Sequence, residues 1–114
     1  MPFQLSNKPT FKYKVKVKQA RDAGKLEEFE FTAEYKRLDQ AAIKDVLALT
    51  SEQIFRKITE ELWVGWVVGE IKALDGSNLE PSAEGRAAML LEPGVPQALM
   101  NGWMDAVFFG PAKN

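Results

Sequence analysis

The sequence predicts an α+β fold in which an N-terminal antiparallel β-hairpin packs on three to four helices. Three observations predict it. Apolar and basic residues alternate strictly over 11–18, and apolar residues alternate again with acidic or hydroxyl ones over 28–35, the side-chain period of strands with one buried face. From Leu38 onward apolar residues recur every three to four positions, the helical period. Proline and glycine then punctuate the helical stretches at Pro81, Pro93-Gly94 and Gly110-Pro111. A chain of 114 residues, 46% hydrophobic and 27% charged, has the size and composition of a single soluble globular domain, residues 1–114.

The first strand is Phe11-Lys12-Tyr13-Lys14-Val15-Lys16-Val17-Lys18, with lysine at every second position. A polar connection, Gln19 to Lys25, leads to Glu28-Phe29-Glu30-Phe31-Thr32-Ala33-Glu34-Tyr35, where the outward residues are acidic. Pairing the two over about 10–36 sets a lysine row beside a glutamate row, and opposite charges across strands contribute roughly 0.2–1 kcal/mol per pair. The lysines also discourage edge-to-edge aggregation. The charge is polarised along the chain: residues 1–37 carry nine Lys/Arg against five Asp/Glu, residues 38–114 six against eleven. Clustered lysines are also the footprint of phosphate recognition, so a small nucleic-acid-binding module using this strand is an alternative reading. The glutamates beside the lysines argue for a solvated hairpin instead, because they would repel phosphate.

Asp39 is placed to cap a short helix over about 40–48, with Ala41, Ala42, Val46, Leu47 and Leu49 on its apolar side. A second helix starts at Thr50-Ser51, either hydroxyl able to cap it, with Glu52 and Gln53 as candidate capping-box partners and Ile54, Phe55, Ile58 and Leu62 as its stripe. The apolar run after Leu62 predicts a buried strand or extended segment over about 64–72, able to join the hairpin as a third strand; a helix continuing from Ile54 would carry Gly65 and Gly69 at about 1 kcal/mol each. Trp63 and Trp66 could stack a ligand or fill the core. Asp75-Gly76-Ser77-Asn78 is a turn signal. Ser82 or its neighbour caps the next helix, with Ala87, Ala88, Leu90 and Leu91 as the expected buried side. Pro96 opens a last helix reaching about Phe109, built on Ala98, Leu99, Trp103, Ala106 and Val107, with a free tail over 111–114. Met100, Met104 and Phe108 make this helix apolar on a second face, which fits either a partner contact or a centrally packed helix.

The chain has no cysteine and no histidine, which removes disulfides, thiolate nucleophiles, cysteine zinc sites and the usual general base near neutral pH. No phosphate-cradling glycine run, nucleophile elbow or calcium loop is present, and the adjacent acids Glu27-Glu28 and Glu60-Glu61 read as solvated faces. The expectation is a non-enzymatic protein without catalytic residues, cofactor or metal. The N-terminal residues lack a basic stretch leading into an apolar run, and no segment approaches the roughly 20 apolar residues of a membrane span, so an intracellular protein is expected.

The order Phe31-Thr32-Ala33-Glu34-Tyr35-Lys36-Arg37-Leu38, then Val64-Gly65-Trp66, Asp75-Gly76, Ala88-Met89-Leu90-Leu91-Glu92-Pro93 with Val95, and Ala112-Lys113-Asn114, resembles the tail assembly chaperones of long-tailed bacteriophages. The resemblance spans roughly residues 31–114; its motif positions are Gly65, Trp66, Asp75, Gly76, Leu90, Leu91, Pro93, Lys113 and Asn114. The chain departs from it at Val67-Val68-Gly69, where the family often has acidic residues, and the lysine-rich strand lies outside it. The resemblance implies a chaperone of the host cytoplasm, absent from the mature virion, that binds the tape-measure protein and helps recruit tail-tube subunits. Self-association is a further expectation, and neither nucleic acid nor membrane is expected as a partner. A module with an apolar face can cover the amphipathic helices of a tape-measure protein. On this chain Met100, Trp103, Met104, Val107, Phe108 and Phe109 are the candidate contacts. A structural tail component of tube or terminator type is an alternative of the same size and composition.

Overall fold

A computed structural model of the chain describes residues 8–20 and 24–108. It has the α+β architecture: a three-stranded antiparallel sheet in the order β1-β2-β3, with four helices. Strand β1 (Thr10–Ala20) and β2 (Leu26–Lys36) form the hairpin, in a register that sets Phe11 opposite Tyr35, Tyr13 opposite Ala33 and Val15 opposite Phe31. The same register aligns Lys12 with Glu34, Lys16 with Glu30 and Lys18 with Glu28, the facing charge rows expected from the alternation. Val15, Val17, Phe31, Ala33 and Tyr35 are buried on the other face.

Helix α1 (Gln40–Leu47) is capped by Asp39, whose carboxylate accepts from the Ala42 N–H at 2.8 Å. Helix α2 (Ser51–Lys57) begins with a full capping box: the Gln53 N–H donates to Thr50 Oγ1 and the Thr50 N–H to Gln53 Oε1. It then widens into a π-turn, Ile58–Leu62, which buries Ile58, Thr59 and Leu62 and delivers the chain straight into β3 (Trp63–Trp66).

The third strand is shorter than the apolar run 64–72 suggests. Its ladder with β2 stops after Val67, whose N–H donates to the Thr32 carbonyl; the Glu70 carboxylate then takes the Thr32 N–H at 2.6 Å, displacing further backbone pairing. Ile71 to Leu79 form a separate loop, closed by a Lys72–Asn78 bridge and by the Leu79 N–H donating to Ile71 O. Trp63 and Trp66 are core residues. Their rings stack with centroids 5.7 Å apart, and their indole N–H groups donate to Gly65 O and Leu79 O.

Helix α3 (Ala83–Leu90) is capped by Ser82 as expected, but it turns a different side inward. Gly85 and Met89 are buried and Leu90 is half-buried, whereas Ala87, Ala88 and Leu91 are exposed. The Arg86 guanidinium sets this rotation by donating to the carbonyls of Val64 and Pro81, and Leu91 falls at the C-cap, where the helical stripe has ended. Helix α4 (Val95–Phe108) lies across the apolar face of the hairpin and also meets α2, its π-turn and α3. Two bonds lock it to the sheet: the Tyr35 hydroxyl donates to Leu99 O at 2.8 Å and the Gln19 amide to Pro93 O at 2.9 Å. The approach is close enough that a β-carbon at Gly102 would sit 2.3 Å from Val15 Cγ1, so only glycine fits there.

Candidate functional site

The contacts expected on the last helix separate once α4 is in place. Trp103 is 0% exposed and sits in the core, out of reach of any partner in this state. Its indole N–H meets no acceptor among the described residues, a cost of about 1–3 kcal/mol that its packing outweighs. Met100, Met104 and Val107 are half-buried and packed against the same core. Phe108, at 59% exposure, is the described candidate that offers a broad apolar surface; Phe109 lies outside the described residues. Most of the second apolar face therefore reflects a helix packed on several sides.

The motif positions behave differently. Gly65 and Trp66 lie in β3, Asp75 and Gly76 at the tip of the 71–79 loop, Leu90, Leu91 and Pro93 at the end of α3 and just beyond, while Lys113 and Asn114 lie outside the described residues. Asp75 lines one hollow, and Trp66 braces its wall at Leu79. Gly65 leaves room for the Pro81 ring, which would stand 2.9 Å from a β-carbon there. Trp66 holds Leu79 by its indole N–H, and Asp75 folds the loop tip by accepting from both the N–H and the hydroxyl of Ser77. Those two bonds lower the Asp75 carboxyl below its ordinary value.

The hollow is an open apolar groove of about 590 Å³ between the 71–79 loop and α3. Ile71, Leu74, Leu79, Ala88 and Met89 supply its apolar lining, with Lys72, Asp75 and Glu92 as the charged groups. Leu74 is fully exposed and Leu91, just past α3, is 85% exposed. The volume lies within the ~300–1,000 Å³ of typical binding pockets. Leu74 is the residue that periodicity missed: an isolated leucine before an Asp-Gly turn belongs to no stripe that could bury it.

Among the described residues no three His, Cys, Asp or Glu side chains come together as a metal site, and no helix is long and apolar enough to cross a membrane. On the opposite face of the sheet Lys12, Lys14, Lys16 and Lys18 are all exposed, three of them facing glutamates across the ladder. Comparison with family models, with curated proteins and with solved structures finds no match to this chain.

Proposed function

We propose that the chain is a tail assembly chaperone of the long-tailed phage type, and that it covers amphipathic helices of a tape-measure protein with the groove between the 71–79 loop and α3. The observation that carries this reading is the exposed apolar groove itself, with Asp75 in its lining and Trp66 bonded to the Leu79 of its wall. Leu74, fully exposed on the groove wall, is apolar surface that a helix face laid into the groove would cover. Charged residues at the rim, Lys72, Asp75 and Glu92, would orient the helix and let it leave again. Recruitment of tail-tube subunits and absence from the finished particle belong to the same reading.

The test is co-expression with the tape-measure protein. Leu74→Asp removes a fully exposed leucine of the groove lining, so folding stability stays within about 0.5 kcal/mol of the parent. Co-purification with the tape measure should fall at least tenfold. Phe108→Asp, on the far end of α4, should leave it unchanged. Loss with Phe108→Asp alone would move the binding face to the last helix.

A further inference from the structure

We propose that the open edge of β2 at Glu28 and Glu30 is a second docking site, one that takes an extended peptide of alternating basic and apolar residues as an added strand. The inference does not depend on the chaperone reading.

The edge follows from the ladder. Thr32 directs both its backbone groups toward the β3 side, its carbonyl accepting from the Val67 N–H and its N–H donating to Glu70. In an antiparallel sheet residues of the same parity point the same way, so the N–H and C=O of Glu30 and Glu28 face that side too. Strand β3 pairs only with Ala33, Glu34 and Tyr35, and among the described residues no backbone group reaches Glu28 or Glu30 there. A row of open donors and acceptors in a sheet is a template for another strand.

Beside this edge lies a hollow of about 400 Å³. Phe31, Ile71, Met89 and Val95 give it an apolar floor, and its charged lining is Glu30, Glu70 and Glu92 against Lys72 alone. Glu27 and Glu28 add further negative charge along the strand. A strand laid here would place every second side chain over the apolar floor and the others beside Glu28 and Glu30. The acids specify lysine or arginine for the latter. A second copy pairing edge to edge would set glutamate beside glutamate, which is unfavourable. The complementary pattern is already realised on the other side of β2, where Lys16 and Lys18 face Glu30 and Glu28.

The experiment uses the full chain and a capped synthetic hexapeptide with the sequence of Tyr13–Lys18, YKVKVK, as probe. At saturation, hydrogen exchange should slow at least tenfold at the Glu28 and Glu30 amides, with Phe31, already bonded to β1, unchanged. The same peptide with each lysine replaced by glutamate should not bind. Glu30→Lys should weaken the probe by roughly tenfold, and Glu92→Gln, which leaves the sheet untouched, by about threefold. Binding without protection at Glu28 and Glu30, equal binding of the glutamate peptide, or protection of these amides by self-association without peptide would each overturn the proposal. An intact response here with no tape-measure co-purification would separate this site from the chaperone reading.

Discussion

Tyr35 joins the two layers of the molecule through one buried hydroxyl. Removing it in Tyr35→Phe leaves Leu99 O within its helix but loses the cross-layer bond, so the variant should be about 0.5–1.5 kcal/mol less stable in urea unfolding. The same residue sets an alkaline limit. Burial foremost, and the neighbouring Tyr13 second, push its phenol well above the ordinary 10.0. The folded chain therefore keeps a proton that the unfolded chain releases; stability is full below pH 10 and declines as pH rises further. Unfolding measured at about pH 9 and about pH 11 should show the parent losing more stability than Tyr35→Phe; an equal loss would assign the effect elsewhere. At this scale the sequence was highly legible. Asp39, Thr50 and Ser82 cap where short polar side chains precede apolar stripes, and the lysine and glutamate rows meet in register because a period of two permits no other burial of Val15, Phe31 and Tyr35. Trp103 and Leu91 were not legible individually. A tryptophan on an amphipathic helix and a leucine at a helix end give the same signal whether packed or exposed, and neighbours from other elements decide.

The elements between the hairpin and α4 show where local pattern runs out. The apolar run after Leu62 looks like one long strand, yet only Trp63–Trp66 pair, because a single carboxylate, that of Glu70, competes for the Thr32 N–H. The π-turn at Ile58–Leu62 is likewise invisible to periodicity, since it shifts the helical phase by one residue just where the stripe continues. The loop that follows depends on Asp75, which is ionised when it accepts from Ser77. Because those bonds lower its pKa, the contribution is fully present above the ordinary value of 3.8 and is lost as pH falls through the lower folded value. Acidification should therefore loosen the loop tip before the hairpin. Protection factors at the Ser77 and Gly76 amides, referred to the intrinsic exchange rate at each pH, should fall toward about pH 2 while the far-ultraviolet spectrum persists. Asp75→Ala should show the loosened loop already at neutral pH and lose the acid response, and a parent loop insensitive to acid would refute the assignment. The groove between this loop and α3 was half legible: the Asp-Gly turn and the helix break mark its two walls, but the exposure of Leu74 depends on both walls folding apart.

At the scale of the molecule, the chain is longer than a compact globule of its size. Its radius of gyration is 15.0 Å, with extents of 47 × 31 × 27 Å, where about 13 Å is typical of this length. The hairpin is unequally covered. Helix α4 reaches from Val95, close to Val17 and the Lys18 carbonyl by way of Gly94, to Val107 beside Phe11, and it buries the sheet only over that span. At the turn end Leu26 stands exposed and Phe29, paired with buried Val17, keeps 38% exposure, and β2 lacks its third-strand neighbour on the same stretch. Among the described residues the cross-strand pairing there is to β1, and apolar burial thins from Val17 toward Leu26, so the hairpin should open from its turn end by a sub-global step. Amides bonded between the strands test this: Phe29 should exchange at least tenfold faster than Ala33, although both belong to one continuous strand. Glu28 and Glu30, aimed at the open edge, should be faster still. If Phe29 and Ala33 exchanged together at the global rate, the hairpin would be one cooperative unit, and its uncovered end would contribute to the core in a way that burial alone does not explain.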